Sequence, residues 1–227
     1  MNLDIFPDID VHLRRSVRAR QFTLRVSSLD GKVSLSMPHF AKTYQINAFL
    51  KEKEPWLRQK LSEVQLGVKV TFGTVLPFMG QDILVERYVG HSVELNDDKI
   101  LVPEKSKKPA VQVGVFLKQN AHQLLSKRAT HYAEKLGSSY SKLSLRDTRS
   151  RWGSCSDRGA LMFSWRLIMT PPEVLNYVAA HEVAHLRHMD HSDHFWTEVK
   201  NLFGDHKKQQ RWLRENGPKL HRYQFSN

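Results

Sequence analysis

Cysteine and long apolar runs are both scarce in this sequence. Cys155 is the single cysteine among 227 residues, so no disulfide within the chain can stabilise the fold. No apolar run approaches the roughly 20 residues that a membrane-spanning helix needs. The N-terminal segment MNLDIFPDID has neither the basic start nor the apolar stretch of a signal peptide. We therefore expect a protein without membrane spans, in the reducing cytoplasm.

Acidic residues are fewer than basic ones. Asp and Glu number 23 against 35 Lys and Arg, which gives a formal net charge of +12. The excess occurs in short clusters that include RRSVRAR at 14–20 and RDTRSR at 146–151. This charge favours polyanions by long-range electrostatics, although no recognition-helix or zinc-finger pattern accompanies it. A nucleic acid is therefore a candidate partner, and an ordinary solvated surface is the alternative.

The hydrophobic pattern of the first 108 residues predicts mostly strands. The segment QFTLRVSSLDGKVSLSMP alternates apolar and polar residues around the turn 29–31, which is typical of a hairpin. Residues 70–89 and 92–103 show similar alternation, while residues 44–65 carry apolar side chains at roughly helical spacing. The stretch PEKSKKPA at 103–110 contains almost no apolar residues and is the best linker candidate.

Beyond this linker the pattern predicts longer helices. Residues 113–137 form an amphipathic pattern that ends with Gly137 as a helix C-cap. A strand region follows, and Thr170 is then the predicted N-cap of a helix with proline in its first turn. We expect an α+β protein with a β-rich N-terminal region at 1–108 and a mixed domain at 109–227.

The last of these helices runs into a histidine-rich stretch, HEVAHLRHMDHSDHFW at 181–196. A helix advances about 100° per residue, so His181 and His185 lie about 40° apart on one face. Two imidazoles placed in this way can reach one Zn²⁺ at about 2.0–2.1 Å each. Glu182 lies beside them, where its carboxylate can hydrogen-bond a metal-bound water. The His-Glu-x-x-His spacing predicts a two-histidine metal platform with a general base.

The alternative is a pair of ordinary core histidines that are satisfied by hydrogen bonds. Apolar residues cover most of the predicted helix, and only a strip including Glu173, Asn176 and Arg187 suits water. A largely buried helix would not carry two histidines and a glutamate without partners for them. A bound metal ion explains these residues better than hydrogen bonding alone.

A catalytic zinc needs a third protein ligand and one open position. His188 lies about 10 Å from His181 along a continuing helix, which is too far for the same ion. His191 falls in a turn just before Ser192 or Asp193, either of which can cap the next helix. His191 is therefore the favoured third ligand. The alternatives are His194, Glu198 and, if the helix ends earlier, His188.

Two segments of the sequence closely resemble a known family. RWGSCS at 151–156 and SWRLIMTPPEVLNYVAAHEVAHLRHMDHSDHFW at 164–196 are similar to the YgjP-like family of metal-dependent hydrolases, which are zincin-type metallopeptidases. The N-terminal RRSVRARQFTLRVSSLDGKVSLSMP resembles the same family's leading region. The resemblance implies a zincin-like domain in which an active-site helix lies beside a small mixed sheet.

The His-x3-His-x5-His spacing of this family implies zinc ligands at His181, His185 and His191, with Glu182 as catalytic acid and base. Family members commonly have asparagine where this chain has Ser164. The family also resembles the WLM and SprT-like proteases, which digest DNA–protein crosslinks. That kinship and the positive charge suggest a DNA-associated protease as an alternative, by analogy only.

Arg149, Arg151 and Trp152 precede the active-site helix in a predicted strand region. In zincins a sheet edge beside the metal can hold a peptide as an added strand. These three residues are therefore candidate substrate-binding residues, with an arginine placed to stabilise an oxyanion. The alternative is a tryptophan packed in the core and solvated arginines. Cys155 is expected to be a buried or half-buried free thiol.

The sequence thus predicts a zinc-dependent metallopeptidase that acts on peptide or protein substrates. Glu182 would take the proton of the attacking water and deliver it to the leaving amine. The alternative function is a polyanion-binding module in which the zinc is structural or supports no turnover. No pattern in the sequence indicates an oligomeric state.

Overall fold

The computed structural model describes residue 6 and residues 8–27, 31–62 and 67–226. The chain forms two compact units, one comprising residues 1–67 and the other residues 68–227. Both units combine helices with small sheets, so the predicted α+β class is confirmed. Among the described helices, none has the length and apolarity that crossing a bilayer requires.

The first unit packs one helix against a three-stranded sheet. Its elements are β1 (Val11–Ser16), β2 (Thr23–Val26), β3 (Val33–Pro38) and α1 (Thr43–Ser62). Strand β3 is central and pairs with β1 in parallel and with β2 antiparallel. Its alternate residues Val33, Leu35 and Met37 are buried in one core with Ile46 and Leu50 of α1, as a period of two residues requires.

The predicted hairpin corresponds to β2 and β3. Residues 29 and 30 of its predicted turn lie outside the described residues, and so do residues 63–65 of the predicted helix. The parallel pairing of β1 with β3 was not evident from the sequence, because β1 is separated from β3 by the whole of β2.

The second unit contains several small sheets and most of the helices. Its strands are β4 (Val68–Lys69), β5 (Val75–Phe78), β6 (Gln81–Tyr88), β7 (Glu94–Asn96), β8 (Lys99–Pro103), β9 (Lys142–Arg146), β10 (Gly153–Cys155), β11 (Ala160–Ser164) and β12 (Tyr223–Gln224). Its helices are α2 (Pro109–Leu136), a 3₁₀ helix (Trp165–Met169), α3 (Pro172–Ala184), α4 (Asp193–Phe203) and α5 (Lys207–Leu220). One sheet has the strand order β5-β6-β8-β7 and another the order β10-β11-β9. Helix α2 contacts strands β8 and β9 and helix α3.

Of the two helix caps predicted in this unit, the one at Gly137 is confirmed and the one at Thr170 is wrong. Gly137 ends α2 in the left-handed conformation with a φ of 68°, as predicted. The prediction for Thr170 is wrong, because α3 begins at Pro172 and its N-cap is Pro171. The Thr170 hydroxyl instead donates to the carbonyl oxygen of Leu167 at 2.8 Å. The preceding 3₁₀ helix therefore uses the hydroxyl group that the prediction assigned to α3.

Residues 68–103 pack with the second unit. Val85, Ile100 and Val102 share one buried core with Val113 and Leu117 of α2. The predicted division into a β-rich region at 1–108 and a zincin-like domain at 109–227 stays a prediction.

A buried arginine holds the last part of this unit in place. Arg166 is 6% exposed and pairs with Asp147, with 2.7 Å between Nε and Oδ1. Its Nη1 donates to the carbonyl oxygens of Leu220 and Tyr223. Strand β12, which begins at Tyr223, pairs in parallel with β4. The first and last strands of the unit therefore lie side by side.

Candidate metal centre

Helix α3 places His181 and His185 one turn apart on the same face, as the spacing predicts. Their ring centroids lie 5.1 Å apart. The Nδ1 atom of His185 lies 2.9 Å from the carbonyl oxygen of His188. If Nδ1–H donates to this carbonyl, Nε2 keeps a free lone pair, which is the arrangement that metal-binding histidines use.

The turn after α3 brings a third histidine to this pair. Nε2 of His191 lies 3.3 Å from Nε2 of His181, and the His191 ring centroid lies 4.8 Å from that of His185. Asp190 accepts a hydrogen bond from the Ser192 hydroxyl at 2.8 Å and so shapes the turn. Ser192 is the N-cap of α4, one of the two positions predicted for it.

The three histidines form a cluster that is consistent with a metal site. One nitrogen of each ring lies within 4.8 Å of the others. Two nitrogens that are each about 2.05 Å from one ion, at a tetrahedral angle, are about 3.3 Å apart. The Nε2 atoms of His181 and His191 have this separation.

The protonation of these rings also suits a metal. Burial, with the neighbouring histidines, lowers the pKa of His181 to about 3. Burial also lowers the pKa of His185 below its usual range, against the opposing hydrogen bond to His188. Both rings are therefore neutral at pH 7, and a neutral imidazole is the form that binds a metal ion.

The other candidate third ligands lie outside this cluster. The rings of His188 and His194 stack on each other with centroids 6.2 Å apart. Glu198 pairs with Arg187 at 2.7 Å. Within the described part of the chain, His181, His185 and His191 are the only group of potential ligands close enough to share an ion.

A buried tyrosine contacts the other face of His181. The Tyr177 hydroxyl lies 3.4 Å from Nδ1 of His181, and Nε2 of Gln210 donates to this hydroxyl at 3.0 Å. The Tyr177 ring also stacks on the ring of His206. Partners of this kind fix the tautomer and orientation of a metal-binding histidine. These contacts could not be predicted from the sequence, because Gln210 and His206 come from the region around α5, although Tyr177 precedes His181 by one helical turn.

Glu182 lies next to the cluster in a buried position. Glu182 is only 6% exposed. Burial raises the pKa of Glu182 to about 8, while the charge of Arg151 acts in the opposite direction. A carboxyl group whose pKa is near neutrality can both accept and return a proton at physiological pH.

Strand β10 leaves space for this carboxyl group at Gly153. A Cβ atom on Gly153 would lie 2.5 Å from Oε1 of Glu182 and 2.5 Å from its Cγ. The φ of Gly153 is not positive, so space rather than backbone conformation favours glycine here. The RWGSC segment therefore contains a functional residue that sequence reasoning missed. Its role depends on the packing of β10 against α3.

We expect Gly153→Ala to lower any hydrolysis at this site by about 100-fold. The added methyl group displaces the flexible Glu182 side chain, and a misplacement of about 1 Å can cost a factor of about 10². Metal content should stay unchanged, since the histidines are not touched, whereas the melting temperature should fall because the methyl group also meets Cγ of the buried Glu182. An unchanged rate in the metal-loaded variant would contradict the role assigned to the contact between β10 and Glu182.

The cluster opens into a cavity of about 610 Å³. Arg151 and Trp152 line this cavity, whereas Arg149 is not among its lining residues. The Trp152 ring packs on the ring of His221 at 5.6 Å, and a Cβ on Gly217 would meet it at 2.7 Å. Trp152 therefore combines a packing contact with α5 and a position on the cavity wall.

Two small side chains complete this region. Cys155 is a half-buried free thiol, as expected, and burial raises its pKa to about 11. Ser164 is fully buried, and its hydroxyl has no hydrogen-bond partner among the described residues. Its backbone N–H donates to the carbonyl oxygen of Trp152 at 2.8 Å.

A family model, described as YgjP-like, metallopeptidase domain, matches residues 20–216. The chain belongs to the YgjP-like metallopeptidase family. The YgjP-like match includes the histidine cluster, Glu182 and β10, and it confirms the family resemblance seen in the sequence.

No curated protein matches this YgjP-like chain at a significant level. Among solved structures, the metallopeptidase zymogen of Pyrococcus abyssi abylysin is similar, with 22% sequence identity and a TM-score of 0.36. This similarity covers 41% of the YgjP-like chain and 92% of abylysin. The family assignment rests on the sequence match.

Proposed function

We propose that this YgjP-like protein is a zinc-dependent peptidase that hydrolyses peptide bonds in protein substrates. The proposal rests on the position of Glu182, whose side chain lines the same cavity as the three-histidine cluster. Membership of a metallopeptidase family supports a protein substrate.

His181, His185 and His191 would hold the metal ion. Three neutral imidazoles are a ligand set that catalytic zinc uses, and they suit zinc better than calcium or magnesium. When bound, zinc supplies a Lewis acid that polarises a carbonyl oxygen and makes water more acidic. Tyr177 would keep His181 in the tautomer that leaves Nε2 free.

Glu182 would move the proton during the reaction. Its carboxylate takes a proton from the water that attacks the carbonyl carbon. It then delivers this proton to the nitrogen of the breaking C–N bond, so that the amine leaves in neutral form. Arg151 on the cavity wall favours the ionised form of Glu182 and could stabilise negative charge on the carbonyl oxygen.

Strand β10 offers an extended substrate a hydrogen-bonding edge. It lies at one end of the β10-β11-β9 order, and its residues line the cavity. A peptide can add to such an edge as a further strand. Arg151 and Trp152, which come just before β10, are the proposed substrate-binding residues. The same role for Arg149, and a cytoplasmic location, stay predictions.

We expect the purified protein to cleave an unfolded protein such as casein, and to lose this activity when a chelator removes the metal. One equivalent of Zn²⁺ should restore cleavage, which gel electrophoresis and mass spectrometry of the fragments would follow. Cleavage that persists in metal-free protein would assign the activity to a different site. Complete metal loading without cleavage of casein or a peptide library would favour the alternative of a zinc that supports no turnover.

A further inference from the structure

The first unit exposes one face of its sheet. One side of the sheet is apolar and packs on α1, and the opposite side carries polar residues in rows across the three strands. Strand pairing gives the rows His12–Ser34–Arg25 and Arg14–Ser36–Thr23. The central serines are half-buried and the flanking residues are exposed. Because β1 and β2 are about 10 Å apart, the small serines form the floor of a shallow channel. These six residues are called the basic sheet face.

The charged residues of the basic sheet face are all basic, and acidic residues flank its strands in the sequence at Asp10, Asp30 and Glu52. Residues 11–27 and 31–51 contain no aspartate or glutamate. All arginines of this part of the chain are exposed, and they are Arg14, Arg15, Arg18, Arg20 and Arg25. The guanidinium group of arginine matches two phosphate oxygens at once and also stacks on flat rings. The chemistry of this surface therefore favours a polymer that carries phosphates.

Large apolar side chains are exposed where β1 and β3 end. These strands are parallel and pair Ser16 with Pro38, so the segments that follow them emerge at the same end of the sheet. The exposed side chains of these segments and of the first turn of α1 are Val17 (83%), Phe40 (71%) and Tyr44 (66%). Aromatic rings left in water beside arginines offer stacking surfaces.

Two hydrogen bonds fix the loop that carries Phe40. Nη1 of Arg15 donates to the carbonyl oxygens of His39 at 2.6 Å and Ala41 at 2.9 Å. The His39 ring also contacts the Phe40 ring, edge to face, with centroids 5.3 Å apart. A ring that is already held in place loses little conformational entropy when a ligand binds to it.

We propose that the basic sheet face and the exposed Phe40 and Tyr44 rings bind single-stranded nucleic acid. Arginines along the strands would contact successive phosphates, and the rings at the end of the sheet would stack on unpaired bases. A duplex would not use these rings, because its bases are stacked on each other. A lipid bilayer could engage the apolar end, but it would not explain basic rows that continue along the strands.

The test measures fluorescence anisotropy of labelled oligothymidylate, oligouridylate and a duplex with the full-length chain over a series of salt concentrations. We expect single strands to bind in a salt-dependent way and more tightly than the duplex. Replacing Arg14 and Arg25 together by glutamine should lower the slope of log K against log salt by about 1.4, since each phosphate contact on a single strand contributes about 0.7. Preference for the thymidylate or the uridylate oligomer would assign DNA or RNA, and both support the proposal.

A second variant tests the rings. Phe40→Leu stays apolar but has no ring face, so single-strand affinity should fall about 5-fold or more. The matched charge control replaces Lys105 and Lys107, which are exposed in the second unit, by glutamine and should leave the salt slope unchanged. Thermal unfolding shows that each variant is folded. Protein from which a chelator has removed the metal should bind single strands equally well. This result separates the inference from the peptidase proposal.

Several results would overturn the inference. One is absence of oligonucleotide binding at low salt, and another is binding to phosphatidylserine vesicles in its place. A duplex that binds as tightly as the single strands, with no effect of Phe40→Leu, would exclude base stacking. If the Lys105 and Lys107 control lost as much affinity as the Arg14 and Arg25 variant, net charge alone would explain the binding.

Discussion

Glu182→Gln is expected to keep its metal and lose about 10²- to 10⁴-fold in turnover. The amide cannot accept or return a proton, and a positioned acid–base group contributes a factor of this size. The change in side-chain volume is small, and the neutral amide suits a buried position in which burial raises the pKa of the carboxyl group. Metal content by elemental analysis and cleavage of the best substrate would be measured on the same sample.

Glu173→Gln is the matched control for this experiment. Glu173 lies in the first turn of the same helix and is exposed, so the substitution makes the same change from carboxyl to amide away from the cavity. It should leave both metal content and turnover unchanged. Unaltered turnover in the Glu182 variant would exclude Glu182 as the base.

His191→Ala should lose metal affinity by more than about 100-fold. Replacing a residue that only hydrogen-bonds a metal-binding side chain lowers metal affinity by about 10- to 100-fold. Replacing a metal-binding side chain itself should lower it more. His191 is exposed and lies in a turn, so its removal leaves the core of the unit intact. Titration of metal-free protein against a chromophoric chelator would give the dissociation constant without any assay of activity.

His194→Ala provides the comparison. This histidine is also exposed, and it stacks on His188 instead of joining the cluster. Its loss should leave the dissociation constant unchanged. If the His191 variant bound one metal as tightly as the unchanged protein, the third ligand would lie elsewhere. Glu198, after release from Arg187, would then be the next residue to replace.

Local geometry accounts for the parts of the site that the sequence predicts. The four-residue spacing of His181 and His185 places them on one face of any helix, whatever surrounds it. The turn that carries His191 is also local, because a helix cap at Ser192 follows at once. Gly137 ends α2 for a similarly local reason, its left-handed backbone.

The parts that could not be predicted depend on contacts between distant segments. Gly153 is plainly visible in the sequence, but only the position of β10 shows which carboxyl group needs the space. Gln210 reaches Tyr177 across 33 residues, and Arg166 reaches the carbonyl of Leu220 across 54. The prediction for Thr170 fails because a 3₁₀ helix uses its hydroxyl group, and no periodicity marks so short an element.

The pairing of β12 with β4 has a consequence for synthesis of the protein on the ribosome. The ribosome makes β4 at the start of the second unit and β12 at its end, so the pair cannot form until translation has passed Gln224. Helix α5, which supplies Gln210 beside the histidine cluster, is also made late. Residues 1–67 can fold while the rest is still being made, since domains generally fold as units in the order of synthesis. Until α5 has been made, the nascent chain therefore lacks the Gln210 side chain that donates to Tyr177 beside the histidine cluster.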